Sequence, residues 1–181
     1  MRARYQIINH RIEAAGQYSS PHTSPRSGGE VSLIVLHCIS LPAGHFGGRY
    51  VEDLFMGTLS GQAHQDFSDL TAARVSAHLL IRRCGALLQF VAFDQAAWHA
   101  GVSFYEGRQG CNDFSIGIEL EGTDTAPYSE IQYAVLGSVV SALQDHYQMQ
   151  SSAVVGHVDI APGRKTDPGP AFDWEKFWHC C

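Results

Sequence analysis

The stretch from Val31 to Leu36 is apolar and β-branched but for Ser32, and it ends on His37. A run of that kind reads as a buried strand, so the rest of the chain has to build a sheet around it and cover it. Ala77–Ile81 and Leu87–Phe93 read as the two strands of a hairpin turned at Arg83-Cys84-Gly85. Phe114–Leu120 is a further strand, and Ala153–Val155 a short one. One long helix is expected from Ser129 to about Tyr147. Ser129 and Gln132 stand at capping-box spacing, and Ile131, Val135, Leu136, Val139, Val140, Leu143 and Tyr147 form one apolar stripe. Short helices are expected at Tyr50–Met56 and after Asp173, the latter with Trp174, Phe177 and Trp178 on one side. His10–Glu30, Leu41–Gly48, His64–Ala73 and Ala97–Gly110 read as irregular or loop. Strands separated by helices suggest an α/β (α+β) fold: one domain with a mixed central β-sheet flanked by helices. Residues 1–30 are expected as an irregular N-terminal segment and 31–178 as the domain.

Length and charge narrow the partners. A chain of 181 residues is one domain with a sizeable core. Its net charge is −6 and it has no Lys/Arg-rich run, which argues against nucleic acid and anionic membranes. An anionic ligand would need local arginines. Met1–Gln17 is polar throughout with no h-region, and no apolar run is long enough to span a membrane. Five cysteines stand in no CxxC pair. Reduced thiols in the cytoplasm are therefore expected. No feature points to an obligate protein partner.

The chemistry concentrates near the C-terminus. His157 follows a short apolar run, and Asp167 comes ten residues later in a Pro/Gly loop with Lys165 two positions before it. His37 likewise ends an apolar run. Two imidazoles and one carboxylate are the ligand count of a catalytic zinc site, which leaves a fourth position for water. Spacing alone does not choose between these histidines and His64, His78 or His99, and Asp167 by itself is turn chemistry. Glu119 and Glu121 fall on one strand face, either as a solvated strand end or with one carboxylate as a general base. Glu119 is the better choice, because Gly117 leaves room beside it. Lys165 is either a surface lysine or a donor to a developing oxyanion. Arg74, Arg108 and Arg164 are surface residues, or partners for ligand carboxylates if they line a cleft. Trp98 is a packed tryptophan or the aromatic wall of a site. Cys38 next to His37 raises a cysteine nucleophile, but strand neighbours point to opposite faces, so packing is the better reading.

Several strings carry a resemblance: Leu36-His37-Cys38-Ile39-Ser40-Leu41-Pro42, Ala97-Trp98-His99-Ala100-Gly101-Val102-Ser103, the long run from Cys111 to Asp124, and Ala161 to Pro170. Together they closely resemble the cytoplasmic 1,6-anhydro-N-acetylmuramyl-L-alanine amidases of peptidoglycan recycling. More broadly, they resemble the zinc amidases that share a fold with peptidoglycan recognition proteins. The resemblance runs from about Ser20 to Trp178. It implies that His37, His157 and Asp167 bind Zn²⁺ and that Glu119 and Lys165 are the catalytic pair. It also implies a substrate, an anhydromuramyl-peptide cut between the lactyl group and L-alanine. Such cleavage keeps the β-lactamase inducer low.

The chain departs from the pattern at Cys38, where an Asn is expected near the substrate. It departs again at Gly110, where a basic residue is expected, and in His64-Gln65-Asp66-Phe67, which lacks an aromatic before Phe67. These positions bear on affinity, and Cys38 is counted with the substrate-contacting candidates. The rival readings are a muropeptide-binding module that does not catalyse, an amidase of intact periplasmic peptidoglycan, and a cysteine hydrolase.

Overall fold

Six strands build one mixed sheet in the computed structural model, which describes residues 5–181. They are β1 (Gly16–Gln17), β2 (Leu33–Ile39), β3 (Leu79–Ile81), β4 (Leu87–Gln89), β5 (Ser115–Glu121) and β6 (Val154–Gly156). Their spatial order is β6-β2-β5-β3-β4-β1. β5 runs parallel to both β2 and β3, β6 runs parallel to β2, and β1 parallel to β4. The β3–β4 hairpin is the antiparallel step. Among the described residues the α-helices are α1 (Tyr50–Phe55), α2 (Glu130–Tyr147), α3 (His157–Ile160) and α4 (Trp174–Cys180).

Side-chain alternation sorts the two faces of the sheet. Ile34, Leu36, Ile116, Ile118 and Leu120 pack with Leu136, Val139, Val140 and Leu143 of α2 and Phe177 of α4. Leu33 and Val35 have the opposite parity and pack with Cys111, Phe114 and Ile160. His37 shares the parity of Leu33 and Val35, so it points away from α2, and Cys38 packs against the α2 side. Each buried aliphatic side chain contributes roughly 1.5–3 kcal/mol. That packing makes the strand ends a rigid platform.

The start of α2 is tied to the same platform. Ser129 and Gln132 form the capping box, and Gln132 Nε2 also donates to Ile81 O (3.2 Å) and Glu121 O (3.0 Å). The apolar stripe is shifted from the expected one: Ile131 is 46 % exposed, and Tyr133 is buried instead. Short strand pairings interrupt residues 5–30: β1 extends the main sheet, Ile7–Ile8 pairs with Arg11–Ile12, and Thr23–Pro25 pairs with Gln95–Ala97. Ile12 and Ala15 join the same core as β2, so no boundary falls at residue 31 in the packing. Among the described residues, no helix is long and apolar enough to cross a membrane.

Candidate metal centre

Three parallel strands bring their carboxyl ends to one edge of the sheet, the usual place for a ligand crevice in open α/β sheets. His37 lies near the end of β2, and Glu119 is its register partner on β5. His157 opens α3 immediately after β6. Asp167 arrives from the following Pro/Gly loop, held by a hydrogen bond from Val158 N–H to Asp167 O (3.1 Å). His37 and His157 are both buried.

The three groups converge. His37 Nδ1 lies 2.9 Å from His157 Nδ1, and each is 3.0 Å from Asp167 Oδ2. Tetrahedral zinc with bonds of about 2.0–2.1 Å has ligand-to-ligand edges near ~3.3 Å. The observed triangle is close to that and is made of the right donor types, so these residues fit a zinc ion. His64 and His78 lie elsewhere. His64 caps a 3-10 turn, while His78 Nδ1 accepts from Gly117 N–H (3.0 Å).

Charge in the cluster follows from burial and contact. Burial pushes the His37 imidazole down to about 4, against the pull of Asp167, so the ring is neutral at pH 7. Burial also works against the Asp167 carboxylate, but its contacts to His157 and His37 outweigh it and hold it well below the usual range. Glu119 is pushed the other way: burial raises it well above its ordinary value, Asp167 adds to the rise, and Lys165 opposes it. Glu119 Oε2 has no hydrogen-bond partner. Glu121 is fully committed instead. Its carboxylate takes Arg82 Nη1 (2.7 Å), Gly47 N (2.6 Å) and Arg83 N (3.0 Å). Of the two same-face carboxylates, one holds loops together and one keeps an oxygen open.

A cavity of about 510 Å³ opens over the cluster, with His37, Glu119, His157 and Asp167 among its lining and Trp98, Arg164, Lys165 and Cys38 around it. Trp98 Nε1 donates to Ser24 Oγ (3.2 Å), which fixes the ring as a wall. Arg164 Nη2 donates to Ala100 O and Val102 O, both at 2.7 Å. Cys38 Sγ donates to Asp124 Oδ1 (3.3 Å), and burial pushes this thiol far above the ordinary cysteine value. It is no nucleophile at neutral pH.

Two of the three candidate arginines lie outside the cavity lining. Arg108 is not in the cavity: it pairs with Glu30 (3.2 Å) and stacks over Phe114 at 3.8 Å. Arg74 is exposed one residue before the lining residue Val75 and is not itself part of the lining. The room beside Gly117 also serves something other than Glu119. A Cβ there would meet the His99 ring at 2.4 Å. His99, which spacing did not single out, hydrogen-bonds His37 Nε2 (2.9 Å). Asp124 and Thr166 were missed as well. They hydrogen-bond to each other and line the cavity, and the one signal for Asp124 was that it closes a distinctive string.

Comparison with known proteins adds the following. Residues 27–170 match the family described as N-acetylmuramoyl-L-alanine amidase. The chain is similar to the 1,6-anhydro-N-acetylmuramyl-L-alanine amidase AmpD of Escherichia coli, with 56% identity over 167 residues that cover 92% of this chain and 91% of the relative. Its fold superposes on a crystal structure of a selenomethionine AmpD derivative with TM-score 0.95 at 49% identity, covering 97% of this chain and 98% of the other. The amidase AmiD from E. coli, solved with anhydro-N-acetylmuramic acid-L-Ala-D-gamma-Glu-L-Lys, is similar at TM-score 0.61 and 29% identity, covering 87% of this chain and 58% of the other.

Proposed function

This chain belongs to the N-acetylmuramoyl-L-alanine amidase family, and from that premise we propose the reaction, the metal and the residues that carry it. The bond cut is the amide between the lactyl group of 1,6-anhydro-N-acetylmuramic acid and L-alanine of the stem peptide. Relatives named for that substrate support this choice. The metal is Zn²⁺, held by His37, His157 and Asp167. The observation that carries the reading is the 2.9–3.0 Å triangle of His37 Nδ1, His157 Nδ1 and Asp167 Oδ2 inside the cavity.

Zinc bound there supplies Lewis acidity toward the scissile carbonyl and toward water. The chain's own groups do the rest. Glu119 takes a proton from the attacking water and returns it to the departing amine nitrogen. Its raised proton affinity and its open oxygen both suit that task. Lys165 forms no ion pair among the described residues, so its ammonium is available to the oxygen that becomes negative in the tetrahedral state. Trp98 walls the sugar side, Cys38 borders the substrate, and Arg74 and Arg164 meet stem-peptide carboxylates at the rim. The setting is cytoplasmic wall recycling, where removal of the stem peptide lowers the β-lactamase inducer.

The test is mass spectrometry of anhydromuramyl-tripeptide incubated with the protein as purified, after chelation, and after Zn²⁺ is restored. Release of free tripeptide that stops with chelator and returns with zinc supports the reading. Bound zinc without cleavage would replace it with the muropeptide-binding one.

A further inference from the structure

A histidine that faces a metal with one ring nitrogen needs its proton on the other, and the group that holds that proton decides how well the ring is set. For His157 the answer is direct. Its Nε2 faces Ala100 O at 3.2 Å. A carbonyl only accepts, so in the metal-bound ring Nε2 carries the hydrogen and Nδ1 is bare toward the ion. For His37 the partner of Nε2 is His99 Nδ1 at 2.9 Å, another imidazole, which could give or take. The ambiguity is resolved two bonds further out. His99 Nε2 lies 3.2 Å from Ser115 Oγ, and Ser115 Oγ gives its own hydrogen to Cys111 O at 2.6 Å. A backbone carbonyl therefore anchors the chain. Ser115 has only a lone pair left for His99, so His99 Nε2 carries the hydrogen and His99 Nδ1 is bare. With a metal ion between His37 Nδ1 and Asp167 Oδ2, His37 then donates from Nε2 and its Nδ1 is bare toward the ion.

We propose that His99 is a positioning residue of the metal centre. It fixes His37 as the Nε2–H tautomer, with the Ser115–Cys111 relay fixing His99 in turn. The surroundings are built for that contact. Asn112 Oδ1 accepts from both His99 N (3.1 Å) and Ala100 N (2.8 Å). One side chain thus pins the two residues that hold the outer nitrogens of both histidine ligands. Gly117 has no side chain where the His99 ring lies, since a Cβ there would come within 2.4 Å of it. The inference rests on the zinc reading above and goes beyond the ligands themselves.

The experiment measures zinc affinity by competition with a chromophoric chelator, together with imidazole tautomers by long-range ¹H–¹⁵N NMR, in wild type, His99→Ala, His99→Asn, Ser115→Ala and Gly117→Ala. Losing such an outer partner typically weakens metal binding by about 10–100-fold. We expect that loss in His99→Ala and in Gly117→Ala, which pushes the ring away. We expect substantial rescue in His99→Asn, whose Oδ1 takes the place of the accepting Nδ1. In the zinc-loaded wild type NMR should show His99 as the Nε2–H tautomer, and Ser115→Ala, which removes only the relay, should weaken zinc by less than His99→Ala does. Two results overturn the proposal: wild-type zinc affinity in a folded His99→Ala or Gly117→Ala protein, or a zinc-loaded wild type in which His99 carries its hydrogen on Nδ1. A wild-type protein that takes up no zinc would instead overturn the metal reading on which the proposal rests.

Discussion

Glu119 stands beside His37 in register, on the neighbouring parallel strand and on the same face of the sheet. Strand spacing alone sets these two backbones about 4.8 Å apart. A proposed proton carrier and a proposed metal ligand are thus held by the two seven-residue strands of the sheet rather than by loops. The apolar residues that precede them, Ile34 and Leu36 on one strand and Ile116 and Ile118 on the other, are fully buried against α2. The core that stabilises the sheet also sets the distance between the two groups.

Glu119→Gln should separate activity from stability. Loss of a positioned general base typically costs about 10²–10⁴ in rate, so kcat should fall by that range while zinc content stays at the wild-type level. The same change leaves a neutral amide where Glu119 Oε2 has no partner, so it neither gains nor loses a hydrogen bond there. The melting temperature should therefore stay within a few degrees of wild type, at about 2–4 °C per kcal/mol for a chain of this size. Turnover near wild type would remove Glu119 from the mechanism.

Chelation should lower stability as well as activity. A ligand that binds only the folded state stabilises it by about 2.7 kcal/mol at one hundred times its dissociation constant. The donors come from β2, α3 and the loop after α3, so the metal ties three segments together. Calorimetry across a zinc titration should show a melting temperature that climbs with free zinc. His157→Ala should abolish that dependence. A zinc-independent melting temperature in wild type would mean that the triangle binds no metal.

The sequence showed the frame of this site better than its fittings. The long helix was legible because Ser129 and Gln132 cap it and a 3.6-residue stripe runs along it. β2 and β5 were legible because Leu33–Leu36 is a continuous apolar run and Ile116, Ile118 and Leu120 alternate along β5. β1 was not, since two residues paired to Leu88–Gln89 leave no local pattern. The same holds for His99. Its role comes from a ring fitted over Gly117, a contact that depends on the register of β5 and on where the 99–100 segment crosses it. Surface arginines fall in the same class: Arg164 lines the cavity and Arg108 does not, though both looked alike in the sequence.

Those two arginines should behave differently when replaced. Arg108 is paired with Glu30 in solvent, and exposed pairs are worth about 0–1 kcal/mol. Arg108→Ala should leave kcat and KM within about twofold of wild type. Arg164→Ala removes a rim cation and frees the carbonyls of Ala100 and Val102. Its KM for anhydromuramyl-peptide should rise several-fold or more. Steady-state kinetics on both variants decides the matter, and a larger KM effect at Arg108 would reverse the assignment.

The same reasoning gives Glu121 a pH signature distinct from that of Glu119. Burial works to raise the Glu121 carboxyl, but hydrogen bonds from Arg83 N and Gly47 N and the Arg82 guanidinium outweigh it and hold it below its ordinary value. A carboxyl whose folded-state pKa is depressed adds stability that is complete above the unfolded-state pKa, about 4.3 for Glu. That stability is lost as pH falls through the folded-state pKa. Arg82 also bonds Glu52 and Gly48 O (2.6 Å), so the carboxylate anchors α1 and the loop before it to the end of β5. Glu121→Gln breaks a buried pair on one side only, a change that costs about 3–5 kcal/mol. Urea midpoints should therefore differ widely between wild type and Glu121→Gln at pH 7. The gap should narrow steadily below about pH 4, as the wild-type carboxyl protonates and loses the charge the variant lacks. A gap that stays constant down to pH 3 would show that the charge on Glu121 contributes nothing beyond its hydrogen bonds.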